Sequence, residues 1–146
     1  VEEAAAIIIS RMSPATRDII RGLEEQELVL LHHSVGAGIR NRLSLWTDSE
    51  LVRSLGSWHP DHASQKILLA IRRSLLAEAS AEELDRARVA GQEFREQDRE
   101  ARERQRRMVW VCPACGLPSF GISRTCRRCG QPRTTPGPDE SENRDP

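Results

Sequence analysis

Cys112-Pro-Ala-Cys115, ten residues, then Cys126-Arg-Arg-Cys129: these two knuckles hold all four cysteines of a 146-residue chain. A Cys-x-x-Cys turn lets two sulfurs converge on one point while neighbouring backbone amides turn inward to hydrogen-bond them. Two such turns place four thiolates around one ion. Thiolates suit zinc and select against hard cations such as magnesium. Four protein ligands leave no coordination position open, so the spacing predicts a structural zinc ion without Lewis-acid chemistry. Arg124, Arg127, Arg128 and Arg133 stand close in sequence and can offset the surplus thiolate charge. A finger over residues 109–133 has too little apolar content to fold alone, and a zinc site supplies about 10–16 kcal/mol of apparent binding energy that becomes folding energy. Iron in the same cage and four ordinary free thiols are the competing readings.

Before the finger, residues 80–108 form a charged stretch, with eight acidic and eight basic residues between Glu82 and Arg107. Glu82/Arg86, Asp98/Arg102, Glu100/Arg104 and Glu103/Arg107 are spaced i,i+4 in the favoured order, which predicts one long, exposed spacer helix. A heptad seam of Leu84, Ala87, Gly91, Phe94, Asp98, Ala101, Gln105 and Met108 runs along it. Five of those eight positions are Gly, Asp, Gln or a bare methyl, so the seam predicts a monomer or at most a weak dimer. Residues 134–146 carry no aliphatic or aromatic side chain and are expected to be a disordered tail.

Residues 1–79 read as a small helical bundle. Ala5, Ile8, Ile9 and Met12 recur at helical spacing, and Ser13-Pro14 is a helix start. A third helix is expected over about 24–43, with Leu28, Leu31, Val35 and Ile39 on one face. Gly36 and Gly38 inside it cost roughly 1 kcal/mol each against Ala, which suggests close approach of a neighbour. Thr47 or Asp48 caps a short helix holding Leu51, Val52 and Leu55. After the break at Gly56–Pro60, a last helix turns Ala63, Ile67, Ile71 and Leu75 inward. The fold class is therefore mainly α: a helical bundle, a long charged helix and a four-Cys zinc finger of two knuckles with little β-structure.

The formal net charge is zero, so no global field drives the chain onto nucleic acid or membrane. Lys66 is the lone lysine among the basic residues, and this arginine and alanine bias points to a GC-rich, bacterial genome. Ala4–Ile9 is too short for a spanning helix and lacks a basic leader, so neither a secretory signal nor a membrane anchor is read, and a cytoplasmic location is expected. The chain begins at Val1, which is compatible with an upstream stretch or an unusual start codon.

Trp110-Val-Cys112-Pro-Ala-Cys115, the ten-residue spacer with Phe120 in its middle, and Cys126-Arg-Arg-Cys129-Gly-Gln-Pro132-Arg133 together resemble the Ran-binding-protein type of zinc finger, found in nuclear-pore and RNA- or ubiquitin-binding proteins. The Cys-Pro-x-Cys-Gly form is also similar to short bacterial zinc ribbons. In the first family an Asn precedes the mid-spacer aromatic, where this chain has Ser119. Ubiquitin-binding members carry Thr-Phe after the second Cys, where this chain has Gly116-Leu117, and an apolar residue between the last pair, where it has Arg128. RNA-binding members stack bases on the mid-spacer aromatic. That resemblance implies an interaction surface of Trp110, Phe120, Arg124, Arg127 and Arg128, with single-stranded RNA as an alternative to a protein partner. The competing reading is that Trp110 and Phe120 cover the knuckles.

Leu31-His32-His33-Ser34-Val35-Gly36, Ile39-Arg40-Asn41, Leu45-Trp46 and His59-Pro60-Asp61-His62-Ala63-Ser64 are similar to a small bacterial helical domain of unknown function, over most of residues 1–78. The resemblance brings no activity with it. Its polar signature, here His32, His33, Arg40, Asn41, Trp46, His59, Asp61 and His62, suits either a hydrogen-bond network fixing helix packing or a ligand surface. A hydrolase using His59, Asp61 and His62 is a third reading, but no serine stands in a nucleophile elbow and every cysteine is committed to the metal. The reading as a whole is a zinc-binding, non-enzymatic interaction or adaptor protein.

Overall fold

The computed structural model describes residues 1–47, 50–57, 59–120 and 125–132. Two compact units result, Val1–Arg95 and Glu96–Pro146.

In the first unit, α1 (Glu2–Ile9) and α2 (Pro14–Gly22) flank the Ser13 corner. Ser13 accepts a hydrogen bond from the Thr16 amide at 3.2 Å, and Pro14 opens the helix where no N–H is needed. The single helix expected over 24–43 is instead three windings in succession: a 3-10 segment Glu25–Leu31, a π turn His32–Gly36, and α3 (Ala37–Arg42). The 3-10 segment stacks Leu28 and Leu31 into the core. The wider π turn then lets Arg40 reach back to the His32 carbonyl at 3.3 Å. Gly36 makes room for that arginine, since a Cβ there would stand 3.2 Å from Arg40 Nη1. Gly38 has no such reason, because a Cβ there would meet nothing within 4 Å.

Next comes α4 (Glu50–Ser54), with Val52 buried. Its expected Asp48 cap lies outside the described residues, and the Thr47 hydroxyl donates backward to the Ser44 carbonyl. α5 (Pro60–Ala77) is the central pillar, against which α1, α2, the 3-10 segment, the π turn and α3 pack. Ala63, Ile67, Ile71 and Leu75 are buried on it as the periodicity predicts, joined by Leu68. Two guanidinium groups lash the ends of α2 and α5 together: Arg72 donates to the Leu23 carbonyl at 2.7 Å and Arg21 to the Leu75 carbonyl at 3.1 Å. Each satisfies a carbonyl at a helix end that has no partner within its own helix.

α6 (Ala81–Arg107) starts at a reciprocal cap, in which Ser80 Oγ accepts from the Glu83 amide and Glu83 Oε2 accepts from the Ser80 amide. Its first half is not the exposed spacer that charge pairing implied. Ala87 and Gly91 are buried, and Phe94 packs on the helical core. Gly22 and Gly91 mark a crossing of two backbones. A Cβ on Gly91 would lie 2.3 Å from the Gly22 oxygen, and one on Gly22 would lie inside the Ala87 carbonyl. Arg95 clamps the crossing, with Nη1 bonding the Gly22 carbonyl at 3.2 Å and Glu27 at 3.0 Å. Arg86 pairs with Asp18 at 3.6 Å. The N-terminal part of the heptad seam thus serves this chain's own bundle, and the first compact unit extends to Arg95.

In the second unit, Asp98 and Arg102 on α6 form their i,i+4 pair at 2.7 Å. The strands β1 (Val109–Val111) and β2 (Pro118–Phe120) form an antiparallel hairpin in which Val109 faces Phe120, Trp110 faces Ser119 and Val111 faces Pro118. The tail at 134–146 lies outside the described residues.

Candidate metal centre

The two knuckles are built alike. In the first, the Cys112 amide donates to the Leu117 carbonyl at 3.0 Å and the Gly116 amide to the Cys112 carbonyl at 2.8 Å. In the second, Cys126 donates to Gln131 at 2.8 Å and Gly130 to Cys126 at 2.9 Å. Gly116 (φ 68°) and Gly130 (φ 72°) follow the second cysteine of each knuckle. That left-handed backbone lets the chain fold back, and glycine adopts it without steric cost. The hairpin β1–β2 closes the first knuckle and a bridge between Thr125 and Pro132 closes the second.

This congruence brings the four sulfurs within 4.8 Å of one another. Cys112 and Cys129 are 3.6 Å apart, as are Cys115 and Cys126. Four sulfurs bound to one zinc ion at about 2.3 Å would stand about 3.8 Å from each other, so this spacing fits a tetrahedral cage. The group can hold a metal ion, and all four donors are soft sulfur.

Backbone dipoles favour the ionised sulfurs. The amides of Cys129 and Arg128 hold the Cys126 thiol down to about 6. The Leu117 amide pulls the same way on Cys115, but burial and the sulfurs of Cys126 and Cys112 raise it on balance. At Cys129 the Gln131 amide is outweighed by the Cys112 sulfur, burial and the other two sulfurs, and the thiol is pushed up to about 12. Crowded sulfurs resist ionising together, and a divalent cation at their centre reverses that resistance. The Ser119 hydroxyl, buried, points to Cys126 Sγ at 4.0 Å.

Of the expected interaction surface, Trp110 turns inward, as in the competing reading that it covers the knuckles. It is 7% exposed and packs with Cys112 and Cys126 as the finger's own core. Arg127 and Arg128 are exposed at the tip of the second knuckle. Arg124, Arg133 and the side chain of Phe120 lie outside the described residues.

A second constellation sits in the helical unit. Arg40, 5% exposed, reaches Asp61 at 3.2 Å, Ser64 Oγ at 3.2 Å and the His32 carbonyl. His32 Nε2 and His59 Nδ1 stand 3.8 Å and 3.6 Å from Asp61 Oδ2. His59 is the N-cap of α5, its Nδ1 accepting from the Asp61 amide at 3.2 Å. The Arg40 guanidinium lies 5.4 Å from the centre of the Trp46 ring, and Trp46 Nε1 donates to Asn41 Oδ1 at 2.9 Å. His33 meets His32 edge-on at 4.7 Å, and His62 lies 5.7 Å from His59, both on the outside. His32, Arg40, Asn41, Trp46, His59 and Asp61 thus form one connected group, with His33 and His62 at its rim. Ser64 completes it, a residue whose role could have been suspected from its spacing of three after Asp61.

A family model described as a domain of unknown function (DUF6794) matches residues 1–75. The chain belongs to that family. No curated protein and no solved structure matches it. The DUF6794 segment includes every member of the Arg40 cluster and none of the four cysteines. Among the described residues, no helix is long and apolar enough to cross a membrane.

Proposed function

We propose that the protein is a zinc-binding interaction module, non-enzymatic, in which the ion is structural and the DUF6794 bundle and the finger each present a surface to partners. The observation that carries this reading is the closed set of four sulfurs, 3.6 Å apart in two pairs, with two of the four buried. A complete sulfur cage leaves no open position for substrate. The finger is read as the Ran-binding-protein type, on Trp110, the ten-residue spacer and the closing Pro132. On the bundle, Trp46 is 60% exposed yet pinned by Asn41 and Arg40, the state of an aromatic anchor prepared for a partner. Asp61 is engaged by Arg40, which favours a packing role for the histidine cluster over a hydrolytic one. The expected setting is the bacterial cytoplasm.

Elemental analysis of protein purified without added metal tests the cage: one zinc per chain is expected, and a chain free of metal ends the reading. Arg127 and Arg128, exposed beside the cage, favour single-stranded RNA as the second reading of the finger's partner. RNA binding that weakens with salt and with Phe120→Ala would establish it, and capture of the same partners before and after nuclease treatment would remove it.

A further inference from the structure

The four cysteines are unequal toward solvent. Cys112 is fully buried and Cys126 is 3% exposed, whereas Cys115 is half-buried and Cys129 is exposed. The two sulfur pairs in contact at 3.6 Å both cross between knuckles, and one of them joins the exposed Cys129 to the fully buried Cys112. Resting on the zinc reading of this same cage, we propose that Cys129 is a site of oxidation by hydroperoxides, with Cys112 as the resolving thiol, so that a peroxide converts the loaded finger into a Cys112–Cys129 disulfide and releases the ion.

The chemistry balances with the peroxide as sole oxidant. The Cys129 thiolate attacks one peroxide oxygen; the S–O bond forms, the O–O bond breaks, and the sulfur gives up two electrons. The departing oxygen takes a proton from solvent. The Cys112 thiolate then attacks the Cys129 sulfur, forming S–S and expelling hydroxide, which solvent protonates. The two sulfurs must close by about 1.6 Å to reach disulfide length. Burial decides the order, because an oxidant meets Cys129 first and Cys112 waits behind it. Two thiolates, Cys115 and Cys126, then remain where four held the ion, too few for a stable zinc site.

The zinc-loaded full chain is exposed to hydrogen peroxide and sampled over time. Released zinc is read with a chromogenic chelator, sulfenic acid is trapped with dimedone, and disulfides are mapped by peptide mass spectrometry after free thiols are blocked. The expected result is dimedone on Cys129 ahead of the other three, Cys112–Cys129 as the first crosslink, and loss of the bound zinc in step with it, reversed by a thiol reductant and fresh zinc. A first crosslink between Cys126 and Cys129 or between Cys115 and Cys126 overturns the proposal, as does zinc retained with four intact thiols. A preparation that holds no zinc before peroxide sinks the metal reading, and its crosslink map still decides which thiols pair first.

Discussion

Replacing Gly91 by alanine should destabilise the helical unit even though α6 would gain helix propensity. An alanine within an exposed helix is worth about 1 kcal/mol over glycine. At Gly91 the new Cβ would stand 2.3 Å from the Gly22 oxygen, 2.6 Å from its carbonyl carbon and 2.9 Å from its Cα. All three are backbone atoms, so no rotamer change relieves the overlap. A carbon needs about 3.3 Å from a carbonyl oxygen, and α6 must therefore retreat by about 1 Å. That retreat loosens buried Ala87 and stretches the Arg95 bonds to Gly22 and Glu27. Overpacking of this kind costs about 1–3 kcal/mol. With backbone on both sides the upper end applies, so the net loss is about 2 kcal/mol. For a unit of 95 residues, that lowers Tm by about 8–16 °C. Gly38→Ala is the internal control: its Cβ meets nothing within 4 Å, so propensity should act alone and raise stability by up to about 1 kcal/mol. Urea and thermal melts of both variants followed at 222 nm decide the matter. A Gly91→Ala protein as stable as Gly38→Ala would show that α6 does not dock on α2 through this pair of glycines.

Arg40→Ala leaves Asp61 without its guanidinium and Ser64 without its donor, and should cost about 3 kcal/mol in urea melts; an unchanged midpoint would mean the cluster does not hold the helices together. Trp46→Ala, by contrast, removes an exposed ring and one cation–π contact, and should cost about 1 kcal/mol or less, measured the same way. Ser80→Ala removes the α6 cap and should lower stability by about 1 kcal/mol, read as a Tm shift of about 4–8 °C. Zinc removal by a strong chelator should collapse the amide resonances of residues 109–132 toward random-coil positions while most 222-nm ellipticity persists, since the bundle has its own apolar core; a dispersed finger spectrum without metal would refute the structural role of the ion.

The legible parts of this protein were those whose chemistry is local. Cysteine spacing announced the cage because a Cys-x-x-Cys turn needs nothing beyond itself, and the glycines after Cys115 and Cys129 were visible in the same motif. The face of α5 could be read because one period of 3.6 governs Ala63, Ile67, Ile71 and Leu75. The windings around His32 could not, because a π turn has no compositional mark; its partner contact, Arg40 reaching back to the His32 carbonyl, exists only once the chain is folded. Gly91 was misread as a flaw in a coiled-coil seam. A glycine at a helix crossing and a glycine in a poor heptad look identical until Gly22, 69 positions earlier, is known to lie against it. The Ser80–Glu83 cap, however, was present in the sequence as a serine followed three residues later by glutamate. Arg86 likewise had an i,i+4 partner on paper and found Asp18 instead, because docking of α6 offered a less exposed carboxylate.

The two units reach stability by different physics, and this bears on where variation can be tolerated. The bundle distributes its stability over a continuous core from Ala4 to Leu75, so loss of one methyl group weakens it without dismantling it. On the proposed zinc reading the finger would concentrate its stability in one ion: its buried cluster is Trp110, Cys112 and Cys126, and two of those three belong to the four-sulfur group that can hold a metal. On that reading a substitution at Cys112 or Cys126 removes core and ligand at once, and one at Cys115 or Cys129 removes a ligand, whereas Arg127 and Arg128, two residues inside the second knuckle, face solvent and contribute nothing to that buried cluster. The second knuckle thus calls for particular residues at 126, 129 and 130 and leaves two solvent-facing positions between the cysteines. Arginine at both of those positions is accounted for by charge, toward the surplus negative cage on one side or a partner on the other, and replacing both with serine separates the two: zinc affinity falls if they serve the cage, and partner binding alone falls if they serve the surface.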